Sequence, residues 1–92
     1  MQEVRPVASV AEVKSAIDAV ISQIGEVQSA VRAAGEQLSE TQQSLAAAVE
    51  GSGHDAVTTA QAALNQATTE LEEALAATVT AVEQAQTYLG TL

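Results

Sequence analysis

Apolar residues recur along the first half of the chain at alternating steps of three and four. Val10, Val13, Ile17, Val20, Ile24, Val27, Val31, Ala34, Leu38, Thr41, Leu45 and Ala48 trace this rhythm without a gap. A stripe with that spacing stays on one face of an α-helix and forms the seam of a coiled coil. The pattern therefore predicts one long helix over about residues 9–50. Ser9 suits its N-cap, and Glu12 stands three residues later, the spacing of a capping box. Residues 1–8 read as an irregular lead-in ending near Pro6. The seam changes character along its length. Valine and isoleucine dominate as far as Val31; beyond Ala34, leucine alternates with small residues.

Glu50-Gly51-Ser52-Gly53-His54-Asp55 breaks the rhythm. Gly51 suits a helix end that needs a positive φ, and Ser52 or Asp55 can cap the helix that follows. Two glycines around one serine argue for a reversal rather than a continuous rod. A short connection between two helices makes them antiparallel neighbours. The second helix is predicted over about residues 54–89. Its stripe reads Val57, Ala60, Leu64, Ala67, Leu71, Leu75, Thr78, Val82, Ala85 and Leu89. The step from Leu71 to Leu75 is four where three was due, a stutter expected to relax the left-handed supercoil locally. The expected architecture is all-α: an antiparallel hairpin of helices roughly 60 Å and 50 Å long, in a single domain spanning residues 1–92.

Flanking residues widen the stripe: Ala16, Ile21, Ala30, Ala47 and Val49 on the first helix, and Ala63, Ala74 and Val79 on the second. A wide stripe belongs to a bundle helix that touches more than one neighbour. Composition strengthens this reading. The chain has 92 residues and is 47% hydrophobic, yet much of that is alanine, which buries little surface per residue. It has no cysteine to cross-link it. A small chain with a lean core needs a partner surface. The expected partner is a second copy, giving a four-helix bundle, or else a similar helical hairpin that is less acidic. Gly25 and Gly35 sit beside the stripe, either where a partner backbone approaches closely or as tolerated defects costing about 1 kcal/mol each.

Charge removes several function classes. Twelve acidic against three basic residues give a net charge of −9, which phosphate backbones and anionic lipid repel. No nucleic-acid partner is expected. No stretch approaches the roughly 20 apolar residues of a membrane span, and the first residues lack the basic start and apolar run of a signal peptide. A cytoplasmic location is the resulting expectation.

Candidate chemistry is sparse. His54 is the only histidine, and neither cysteine nor a second imidazole accompanies it to hold zinc. It reads as an exposed turn residue. Glu12, Glu26, Glu36, Glu40, Glu72, Glu73 and Glu83 fall on polar faces, where they serve solubility. The chain lacks the Glu-x-x-His pattern of a di-iron bundle and the lysine of a phosphate-binding loop. The expectations are no catalysis, no cofactor, no metal and no small-molecule ligand. Thr41 and Thr78 lie on the stripe and can bond back to their own helices while setting register. Tyr88, the one aromatic residue, is expected to cover the bundle end near the start of the first helix.

Two equal helices around the turn Gly51-Ser52-Gly53 resemble the WXG100 (ESAT-6-like) family, over nearly the whole chain. The family's Trp-x-Gly would fall on these turn residues, matching the glycine of Gly53 and replacing the tryptophan with Gly51. Tyr88 is similar to the tyrosine of the family's C-terminal export motif, but the acidic residue due four positions later is Leu92. The resemblance implies antiparallel hairpins that dimerise into four-helix bundles and leave the cell through type VII secretion without a cleaved signal peptide.

The leading functional expectation is a protein–protein interaction module or adaptor. Its interface and core residues would be Val10, Val13, Ile17, Val20, Ile24, Val27, Val31, Leu38, Leu45, Val57, Leu64, Leu71, Leu75, Val82 and Leu89. Two alternatives stand beside it. One is a surface coat for ice or apolar granules, prompted by the threonine row Thr58, Thr69, Thr80 and Thr91. The other is a structural coiled coil within a larger assembly.

Overall fold

A computed structural model describes residues 9–92, and the predicted lead-in lies outside them. The described chain is all-helical: α1 spans Val10–Ala48 and α2 spans Asp55–Gly90, packed against one another as a hairpin. Both helices lie within two residues of the ranges expected from periodicity.

Local chemistry explains their ends. The Ser9 hydroxyl accepts from the Glu12 backbone N–H at 3.1 Å, and the Glu12 carboxylate accepts from the Ser9 backbone N–H at 2.8 Å. Two otherwise orphaned donors of the first turn are thereby satisfied reciprocally. At the far end, the Val49 N–H bonds the Leu45 carbonyl at 3.0 Å. Gly51 then adopts φ 82°, the only positive φ in the described chain. A Cβ there would meet the adjoining backbone, so glycine belongs at that position.

The cap of α2 differs from expectation. His54, rather than Ser52 or Asp55, is the N-cap: its Nδ1 accepts from the Ala56 backbone N–H at 3.0 Å. Ser52 acts one step earlier, its hydroxyl accepting from the His54 N–H at 3.3 Å. The imidazole reaches as far as a carboxylate would, so Asp55 is left free to begin the helix, where its charge favours the N-terminal end of the helix dipole.

Packing is one layer deep. The extents are 75 × 26 × 16 Å, and no described residue is fully buried. The accessible surface is 6600 Å², whereas a compact folded chain of this length would expose about 5000 Å². The hairpin has a seam, half-shielded by the facing helix, and no enclosed core.

Candidate interaction surface

The half-shielded positions define the seam. On α1 they run Ile17, Ile21, Ile24, Gln28, Val31, Gly35, Leu38, Gln42, Leu45 and Val49, with Val13 and Ala34 beside them. Ile17, Ile24, Val31, Leu38 and Leu45 thus lie where periodicity placed them. The alternate row is corrected by one residue. Ile21, Gln28, Gly35, Gln42 and Val49 face α2, while Val20, Val27, Thr41 and Ala48 are exposed. Strict three–four alternation admits either of two adjacent rows, and hydrophobicity separates them only weakly: it favours Val27 over Gln28, but Ile21 over Val20 and Val49 over Ala48. The contact with α2 is centred on the flank of Ile21 and Val49, so Gln28, Gly35 and Gln42 occupy the seam between them while Val20 and Val27 stand outside it. Val10 is 52% exposed, because α1 begins beyond the level at which α2 ends.

On α2 the seam reads Val57, Gln61, Leu64, Thr68, Leu71, Leu75, Thr78, Val82, Ala85 and Leu89, with Ala67 also half-shielded. Gln61 replaces the expected Ala60, which is exposed. With Gln61 and Thr68 in place the steps alternate four and three throughout, so the predicted stutter disappears. Ala60 and Ala67 lie one residue before the row that α1 half-shields, and the polar Gln61 and Thr68 occupy that row.

Two glutamines of α1 are paired across the helices. Gln28 Nε2 donates to Thr78 Oγ1 at 3.2 Å, and the same hydroxyl donates to the Leu75 carbonyl at 2.6 Å. Nearer the turn, Gln42 Nε2 donates to Asn65 Oδ1. Each cross-helix bond ties one level of α1 to one level of α2, which fixes the register of the hairpin. Thr41 is exposed and bonds back to the Gln37 carbonyl at 2.8 Å.

The two broad faces of the hairpin differ sharply. One holds an open groove of about 490 Å³ where Gly35 provides no side chain, floored by Val31, Leu71 and Leu75 of the seam and edged by Arg32, Glu36, Ser39, Thr68 and Glu72. Asp18, Asp55 and Glu83 fall on this same side by helical position. The opposite face receives the row one residue before the seam on each helix. On α1 that row is Val13, Val20, Val27, Ala34, Thr41 and Ala48; on α2 it is Ala60, Ala67, Ala74, Ala81 and Tyr88. Because α2 runs antiparallel, the two rows flank the seam on one side. Val20 is 45% exposed, Val27 50% and Tyr88 48%. Tyr88 therefore lies open on this face instead of closing the bundle end.

Gly25 and Gly35 are half-shielded, but a Cβ on either would meet nothing within 4 Å. Within the hairpin neither glycine serves a close backbone approach. The threonine row of α2 is exposed throughout. Thr69, Thr80 and Thr91 bond back to carbonyls of their own helix. An eleven-residue step also advances about 50° around a helix whose seam repeats every seven residues. The row consequently winds from the charged face across the back of α2 and makes no flat array.

The described residues include no group of three or more His, Cys, Asp or Glu able to hold a metal ion, and no helix long and apolar enough to cross a membrane. No protein family, curated protein or solved structure matches the chain.

Proposed function

We propose that this chain is a non-catalytic interaction module that works as a pair of helical hairpins joined in a four-helix bundle. The observation that carries the reading is a mismatch between apolar surface and cover. No residue of the isolated hairpin is buried, and Val20, Val27, Val79, Tyr88 and Leu92 remain exposed. A lone two-helix layer removes little apolar area from water, and a second layer would convert half-shielded stripes into a core. The partner is a second copy of the chain or a hairpin of the same kind.

Light scattering over a dilution series tests this directly. A mass of two chains that persists on dilution is the expected result. A single-chain mass with a broad, weakly cooperative thermal transition would overturn self-association and direct attention to a different hairpin as partner.

The architectural resemblance to the WXG100 family extends the proposal to an adaptor associated with type VII secretion, exported as a folded pair. Dependence of its extracellular appearance on that machinery is the corresponding test. Retention inside cells with a working secretion system would remove the export role and leave the interaction role intact.

A further inference from the structure

The geometry points to a specific partner, face and direction: a second copy docks antiparallel on the face of Val20, Val27 and Ala74, with α1 lying on α1 and α2 on α2. This inference rests on the proposed pairing of hairpins and specifies how it is made.

Charge selects the face. A chain of net charge −9 can meet its own copy only where like charges are not brought together. On the groove side, Asp18, Glu36, Glu72 and Glu83, with Arg32 as the only base, would be pressed against the same acidic surface of the copy. On the opposite side Glu70 is the only charged helical position, and it lies on the outer edge, where it would remain in solvent. Size permits the contact as well. Two helices side by side over the length of α2 offer roughly 50 × 20 Å, about 1000 Å² per partner, above the ~800 Å² typical of a stable interface.

Shape selects the direction. The face is bulky at one end, where Val13 and Val20 of α1 lie near Tyr88 of α2, and lean at the other, where Ala48 lies near Ala60. A two-fold axis across the middle of the hairpin turns bulky ends onto lean ones. On α1 the row is centred between Val27 and Ala34, so Val27 meets Ala34, Val20 meets Thr41 and Val13 meets Ala48. On α2 the centre is Ala74, which meets its own copy, while Tyr88 meets Ala60. The two centres lie at nearly the same level, because Gln28 is bonded to Thr78. Val13, Val27 and Tyr88 each find an alanine about a single axis, and Val20 meets Thr41, so the bulk is spread along the interface instead of gathering at one end. The parallel arrangement would put Val20 against Tyr88 at one end and alanine against alanine at the other. That wedge would leave the lean end unpacked.

The chain lacks cysteine, so single cysteines report the arrangement without background. Ala74→Cys, on the axis, is expected to form a disulfide-linked dimer under mild oxidation, at least about tenfold faster than Ser29→Cys on the charged side. Val27→Cys and Ala34→Cys should cross-link when mixed and more slowly when alone. The wild-type mass by light scattering is measured alongside. A two-chain mass with slow cross-linking of Ala74→Cys, or with fast cross-linking of Ala74→Cys to Ala34→Cys, overturns the antiparallel arrangement and leaves the paired-hairpin reading standing. A one-chain mass overturns both. Val20→Glu with Val27→Glu should abolish the Ala74→Cys cross-link, while Ser29→Glu should not; equal loss from both would sink the assigned face.

Discussion

The two broad faces of this hairpin are built on the same helices from the same composition, yet they are suited to opposite surroundings. The groove side carries Asp18, Arg32, Glu36, Asp55, Glu72 and Glu83, with Val79 as the one large exposed apolar residue among them. The other side carries valine, alanine, threonine and one tyrosine, with a single charge at its edge. Water solvates the first at no cost. The second keeps branched side chains such as Val20 and Val27 about half exposed, a standing cost that only further burial relieves. The difference teaches where to look when a small helical chain buries nothing by itself. The informative surface is the one from which charge is missing, and it is recognised only after the seam has been located.

Substitutions can break that contrast. The largest effect is expected from charging the apolar face: Val20→Glu combined with Val27→Glu should weaken association by more than about a hundredfold, read as a shift from two-chain to one-chain mass. The same change at Ser22 and Ser29, on the other face, should leave the mass unaltered. Next in size is the seam. Leu38→Ala should lower stability by about 2 kcal/mol in chemical denaturation, at the low end for leucine because the site is only half-shielded.

Smaller effects sharpen the comparison through the glycines. Gly35→Ala should raise stability by about 1 kcal/mol, since helix propensity improves and the added methyl enters open space. Gly51→Ala should lower it by about 1 kcal/mol, because φ 82° disfavours any Cβ. If Gly35→Ala instead weakened association, the groove side would be the contact surface and the assignment of faces would be reversed. The smallest change is expected at the turn. His54→Ala removes the side-chain acceptor of α2 and should lower the thermal midpoint by a few degrees, for a loss of about 0.5–1 kcal/mol. Restoration by His54→Ser would confirm that capping is the cause.

Much of the fold was legible in the order of residues. The three–four rhythm, the Ser9–Glu12 box and the Gly51-Ser52-Gly53 turn are local signals, each acting through backbone hydrogen bonds or dihedral limits within a few residues. They determine two helices and a reversal whatever else the chain touches. Which stripe of each helix faces the other is not local. A helix with apolar residues on three adjacent rows can present any two of them, and hydrophobicity alone favours Val27 over Gln28 and Thr41 over Gln42. The tertiary structure decided it the other way, because Gln28 finds Thr78 and Gln42 finds Asn65 across the seam. Paired amides can occupy a half-wet seam at little cost, and the valines are thereby left on a face of their own. Sequence determined how much apolar surface this protein has; only the packing of α1 on α2 decided which part of it remains uncovered.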